Sequence, residues 1–466
     1  MYEERGGILI QNVIVEKGLT IGIILLFIGT CTIPATAQDT EKPSLPTSNG
    51  NWLYVGGSGS GNYTRIQDAI DNASDGDTVF VFDDSSPYYE SIIINKKINL
   101  IGEDKYTTII KRPEQNYVID IITVDLVTVS GFTIIGSKQG YYYGIQICSS
   151  FHTISGNIFE GNAMGIVIFN SSYSTKIYNN IFQNNDIGID IKGSSFNDIY
   201  KNSFLSNWIG IVVREGIGNT IANNIFIKRD VGIHLGGHSN KIINNVFLSQ
   251  VWGISISNCS DNEIRGNSFS HNYDGIIIES NADNNTIQDN FLNQNLCTIE
   301  ILSGCDYNLL EKNTILNSYY YGMHIEGSYN EIHCNLIKDN HDVGIEISGS
   351  NNNISYNTIE NNIKGVELLQ DSQYNKITFN NFIKNNGFFT YSFLQRRSHN
   401  IWDSNYWSSL IGNVKIIVGI TKILIFSWYE GREYHEIALY PMRFNFDWHP
   451  VKEPYDIPGV SLKENV

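Results

Sequence analysis

The chain has 466 residues, a length that suits two or three ordinary domains or one long repeat array. Charged residues make up only 17% and aromatic residues 12%, which excludes a disordered chain. With 31 Lys and Arg against 48 Asp and Glu the net charge is −17, so the surface repels phosphate backbones and nucleic-acid binding is not expected.

The first feature in chain order is the apolar run Leu19 to Ile33, preceded by Arg5 and Lys17 and followed by Ala35-Thr36-Ala37. This reads as a secretory signal cut after Ala37, which places the mature protein outside the cytoplasm, secreted or at the cell surface. The alternative is an uncleaved anchor, so any membrane contact is expected through this segment alone. Residues 1–37 are assigned to the signal and 38–51 to a linker. Five cysteines follow, Cys148, Cys259, Cys297, Cys305 and Cys334; an odd, irregular set is no disulfide framework.

Residues 52–130 read as an N-terminal cap and first irregular rungs. Trp52 to Val55 has the pattern of a short strand. Thr64-Arg65-Ile66-Gln67 matches a capping box, with Thr64 as N-cap and Gln67 at the third helical position. Ile66, Ala69, Ile70 and Ala73 then follow helical spacing, giving one amphipathic helix to lie over an open apolar end. Thr78 to Phe82, Ile92 to Ile94 and Ile98 to Ile101 look like early strands.

Residues 131–387 form a repeat, I-x-x-N-x-[FIL], with a period of about 22 residues. Its Asn falls at Asn157, Asn180, Asn202, Asn224, Asn245, Asn267, Asn290, Asn313, Asn335, Asn357 and Asn380. A second Asn column precedes it at Asn197, Asn219, Asn240, Asn262, Asn285, Asn308, Asn330, Asn352 and Asn375. Most periods then carry G-I-x-I, as in Gly188-Ile189-Asp190-Ile191. Three short alternating stretches per period, none long enough for a helix, specify an all-β, single-stranded right-handed parallel β-helix of about 11 or more rungs. Each strand pairs with its equivalent one rung up at about 4.8 Å. A leucine-rich repeat would carry Leu at the fixed positions, and a propeller would need a period near 40. Asn tolerates the left-handed backbone of a tight corner, and stacked amides can bond above and below, where Asp would align like charges.

Residues 388–466 read as a C-terminal cap rich in aromatics, among them Phe388, Phe389, Trp402, Trp407, Trp428 and Trp448. Lys415 to Ile420 and Lys422 to Trp428 have strand character. The aromatics either plug the open end or form a sugar-stacking platform.

The pattern N-x-I-x-x-N-x-F…G-I-x-I resembles the right-handed β-helix repeats of the NosD-like family, within the carbohydrate-binding and sugar-hydrolase group of the pectin-lyase-like superfamily. Tyr63 to Ile70, Asp75 to Val79 and Pro87-Tyr88-Tyr89-Glu90 resemble the N-terminal cap of that superfamily. The overall style is similar to archaeal cell-surface β-helix proteins. The resemblance implies a pectin-lyase-like solenoid and a polysaccharide partner. Its name also implies copper-site maturation. Against that, the ten His are scattered without H-x-H and there are only 4 Met. The polygalacturonase motif series and the pectate-lyase W-x-D-H are absent.

In G-I-x-I the x residue points away from the core. That column reads Gln146, Val167, Asp190, Val212, His234, Ser255, Ile277, Glu300, His324, Glu346 and Glu367. Glu300, His324, Glu346 and Glu367, with Glu326 beside them, would stack at strand spacing. Such a stack raises carboxyl pKa values or holds a cation, and calcium suits its oxygens. Glu300 and Glu346, two rungs apart, suit acid/base hydrolysis of a sugar. The bland alternative is a solvated acidic face. Lys192 and Arg214 on adjacent rungs suit an acidic sugar, or merely solubilise. These features lead to an exported β-helix that binds polysaccharide or acts in structure or adhesion. The alternatives are a polysaccharide lyase or glycoside hydrolase using the acidic column, or a copper-site maturation accessory. No catalytic residue is assigned, and no cofactor is firmly implied.

Overall fold

The computed structural model describes residues 50–458 with short breaks, the longest at 392–398 and 409–414. The signal segment and nearly all of the linker lie outside the described residues, as do the side chains of Phe388, Phe389, Trp428 and Trp448. Among the described residues no helix is long and apolar enough to cross a membrane.

The coils superpose as the period requires. Sixteen short strands, from Trp52–Val55 to Ile401–Asp403, stack into one sheet, parallel throughout. Its central residues run Val129, Ile154, Ile177, Ile199 and on to Ile377 and Trp402 in unbroken register. The strands around Phe159, Phe182, Phe204, Phe226, Phe247 and Phe269 pair likewise, and so do the G-I-x-I strands. The inward residues of all three families form one continuous core.

The strand spacing dictates how that core packs. The Phe rings stack 4.7–4.9 Å apart and within 7° of parallel. Each ring leans on the glycine that opens the G-I-x-I strand one rung below it. A Cβ on Gly210 would come within 2.6 Å of the Phe226 ring and 2.5 Å of the Gly232 carbonyl. Thr298 takes that place only where the Phe column has given way to Leu292 and Ile315.

The Asn columns are ladders, but the corner residue is not the Asn. Left-handed backbone falls on the residue before it: Lys201 (φ 55°), Tyr356 (φ 55°) and Phe379 (φ 60°) precede Asn202, Asn357 and Asn380. Each ladder Asn is fully buried and works through its amide. Asn267 Oδ1 accepts both the backbone N–H (2.8 Å) and the side-chain amide (3.1 Å) of Asn245. Its own Nδ2 donates to the Ile242 carbonyl and to Asn290 Oδ1. A third ladder, not anticipated from the repeat, runs through Asn162, Asn185 and Asn207 and later through Asn272 and Asn295 and Asn340 and Asn362. Gln250 and Ser318 interrupt its Asn pattern, which hides it in a search for a uniform column.

One expectation at the N-terminal end needs correction. Helix α1 (Ile66–Asn72) buries Ile66, Ala69 and Ile70 as its spacing requires, but Thr64 does not cap it. Glu90 does so from outside: Oε1 accepts the Ile66 N–H at 2.8 Å and Oε2 the Gln67 N–H at 3.1 Å. Gln67, expected at the third position of a capping box, instead binds the backbone of Ile93. At the other end Trp402 and Trp407 are buried beneath the last coils, Trp407 stacking on Phe382 at 4.2 Å, so these two serve as a plug. The strand Lys415–Ile420 continues the stack and then pairs antiparallel with Met442–Asp447. The second expected strand, observed at Ile423–Glu430, forms a hairpin with Glu433–Leu439.

Candidate functional site

The register sets Glu300 beside His324, His324 beside Glu346 and Glu346 beside Glu367 on four consecutive strands. The flanking Ile299, Met323, Ile345 and Val366 are fully buried in the core, so the charged column lies on the opposite sheet face. A solvated face was one expectation for it. The structure differs: Glu346 is only 7% exposed and Glu367 3%, with Glu300, His324 and Glu326 half-buried. Side chains on a parallel sheet are covered by their neighbours above and below, and the stem of Lys364 adds to the cover over Glu367.

Lys364, and His324 when its ring is protonated, lie against these carboxylates. Lys364 Nζ lies 2.7 Å from Glu367 Oε2. His324 Nε2 is 3.2 Å from Glu326 Oε1, and its Nδ1 is 2.8 Å from Glu346 Oε1. The second contact is close enough for an ion pair yet is not aligned as a hydrogen bond. Burial disfavours the protonated imidazole, but Glu346 and Glu326 outweigh it and raise the His324 pKa. Burial likewise raises Glu367, against the opposing pull of Lys364. A calcium ion here would have to displace His324 and Lys364 from these carboxylates.

Next to the column stand residues that sequence reasoning missed. Asp274 and Cys297 are register partners, and a carboxylate oxygen of Asp274, the Cys297 thiol and a carboxylate oxygen of Glu300 all lie within 4.8 Å of one another. Asp274 and Cys297 are buried. Burial, and then the charge of Glu300, push the Asp274 carboxyl up to about 7. Tyr273 and Tyr320, 57% and 49% exposed, stand two coils apart in the column just ahead of Asp274 and Cys297. The signal for these residues was the position just ahead of G-I-x-I, where apolar residues in most coils give way to Asp274 and Cys297.

Lys192 and Arg214 pair in register four to five coils earlier. They do not stand free: Asp190, fully buried, lies 3.4 Å from Lys192 Nζ and 3.5 Å from an Arg214 guanidinium nitrogen. Desolvation raises the Asp190 pKa while the two cations oppose it. His234 hydrogen-bonds Ser255 and belongs to neither group.

The in-register parallel coils make the chain a right-handed parallel β-helix protein, and the family model "Right handed beta helix region" matches residues 231–382. Within that class it is NosD-like: the family model "Periplasmic copper-binding protein (NosD)" matches residues 70–252. No curated protein matches it in sequence. Among solved structures it is similar to the catalytic unit of a GH87 α-1,3-glucanase from Streptomyces thermodiastaticus (12% identity, 73% of this chain and 64% of that one, TM-score 0.44). It is also similar to a PL6 alginate lyase in complex with a trisaccharide (13%, 72% and 86%, TM-score 0.48). A third is DFA-IIIase from Arthrobacter chlorophenolicus A6 (12%, 71% and 94%, TM-score 0.45). The match spans just under two thirds of the glucanase unit. Similarities this low carry no argument about chemistry.

Among the described residues, those of the NosD match do not form a copper set. His152 is buried, with Nδ1 accepting the Val127 N–H and Nε2 bonded to Ser149. His234 and His238 each bond a serine, and Cys148 is exposed. Among the described residues, the three His, Cys, Asp or Glu donors that do converge lie outside that stretch.

Proposed function

We propose that this protein is an exported β-helix that binds polysaccharide, without catalysis, on the strip bearing Tyr273, Glu300, Tyr320, His324, Glu326 and Glu346. One observation carries the reading: two exposed tyrosines two coils apart stand beside the line of half-buried Glu300, His324 and Glu326 and buried Glu346. Aromatic faces offer flat apolar area to the C–H face of a sugar ring, and the carboxylates accept hydrogen bonds from its hydroxyls. The acceptor-rich strip on a chain of net charge −17 favours a neutral or amino polysaccharide over a uronate. Lys192 and Arg214, engaged by Asp190, contribute little to binding an acidic sugar. The signal-like segment Leu19 to Ile33 supports export.

A glycan array probed with the purified chain, paired with reducing-end assays on the glycans bound, tests this. Binding without turnover, weakened at least tenfold in Tyr320→Ala, is the expected result. No binding to any glycan would overturn it.

A second reading is favoured by Asp274, whose carboxyl is held up at about 7 beside that of Glu300. A protonated acid next to a second carboxyl is the arrangement of acid/base sugar chemistry. Turnover in the same assays, abolished by Asp274→Asn, would establish a hydrolase or lyase instead.

A further inference from the structure

We infer that Asp274, Cys297 and Glu300 form a binding site for a single divalent cation of Zn2+ type, held by one thiolate and two carboxylates. The site shares Glu300 with the proposed glycan strip but needs no sugar, so it is tested on the chain alone.

The three donors come from two adjacent strands. Asp274 and Cys297 face each other across the ladder, and Glu300 follows three residues after Cys297. Their donor atoms are mutually within 4.8 Å. Tetrahedral zinc with bonds of about 2.0–2.3 Å sets its ligands roughly 3.5 Å apart, so the side chains need close in by only about 1 Å. The second observation is a buried orphan. Asp274 is 4% exposed, and its Oδ1 has no hydrogen-bond partner although it is sealed from solvent. An unpaired buried carboxylate oxygen is costly, and a cation is the group that satisfies it together with the neighbouring acid and thiol.

The donor set selects the metal. A thiolate is a poor ligand for Ca2+ and Mg2+, which take oxygen. Copper sites gather several imidazole, thioether or thiolate ligands, and here there is one. The nearest imidazole, His324, is held between Glu326 and Glu346. Three protein ligands leave a fourth position for water, the arrangement of an open zinc site. The half-buried Glu300 gives the metal its route in from solvent.

The test uses the full chain, stripped with chelator and dialysed. Calorimetric titration with ZnCl2 is expected to show one Zn2+ per chain, with affinity lowered at least tenfold in Asp274→Asn and in Glu300→Gln. Co2+ serves as the spectroscopic probe: a thiolate-to-cobalt charge-transfer band is expected, and it is expected to vanish in Cys297→Ser. Circular dichroism on each variant separates ligand loss from unfolding, and the two carboxylate variants decide the matter if Cys297→Ser does not fold. A flat Zn2+ titration overturns the proposal. So does a cobalt–thiolate band that persists in Cys297→Ser, or tight stoichiometric Ca2+ or Cu2+ binding unaffected by Asp274→Asn. None of these outcomes bears on glycan binding, so the two readings fail separately.

Discussion

Asp447 closes the central Asn ladder: its Oδ2 accepts the backbone N–H of Asn405 at 3.0 Å and the side-chain amide of Asn405 at 3.1 Å. The Trp407 indole N–H donates to the same oxygen at 3.0 Å. Every internal ladder residue must both accept and donate, but the last needs only to accept, and a carboxylate does that better than an amide. Asp447→Ala is expected to cost about 3 kcal/mol by leaving buried donors unpaired, read as a lower denaturant midpoint. Asp447→Asn, which keeps one acceptor oxygen, is expected to lose less.

Within the ladder the preference reverses. Replacing Asn267 by Asp keeps the oxygen that Asn245 binds but sets a second oxygen 2.9 Å from the Ile242 carbonyl and 3.1 Å from Asn290 Oδ1. Acceptor then faces acceptor in a fully buried site. Asn267→Asp is expected to destabilise by about 3–5 kcal/mol at neutral pH, with part regained on acidification as the carboxyl becomes a donor. Denaturant melts at two pH values check both signs.

The N-terminal helix offers a paired comparison. Glu90 supplies its cap from 24 residues beyond Ile66 and is itself only 6% exposed. Glu90→Ala is expected to cost about 1–2 kcal/mol, whereas Thr64→Ala, at a position that makes no cap bond, is expected to stay within about 0.5 kcal/mol. Equal losses in the two variants would contradict the assignment of the cap.

His152 makes stability depend on pH. Burial pushes its pKa from 6.5 down to about 4, and Nδ1 accepts the Val127 N–H, which requires the neutral ring. Between those values the unfolded chain binds more protons than the folded one. The contribution of His152 is therefore fully present above 6.5, falls as pH drops, and is gone near 4. The shift is worth about 3 kcal/mol. Comparison of the pH profile with that of His152→Asn isolates this term from the opposite slope of Asp274, whose raised pKa favours folding at low pH. The profile of the variant relative to the parent is expected to lack the loss between 6.5 and 4.

What repeats without interruption along this chain was readable from it; the third Asn ladder, broken by Gln250 and Ser318, was not. The column Ile154, Ile177, Ile199, the succession Glu300, His324, Glu346, Glu367 and the two Asn ladders all follow from one period, because parallel pairing turns residues one coil apart into vertical neighbours. Sequence alone set that register. What does not repeat was decided by the tertiary structure. Glu90 caps a helix it does not adjoin, Asp447 reaches Asn405 across 42 residues, and Asp274 meets Cys297 and Glu300, the one such convergence of donors among the described residues. The burial of Glu346 and Glu367 belongs here too. Alternation tells which face a side chain takes, but its exposure depends on how far its neighbours lean over it, a matter of three-dimensional packing that no period encodes.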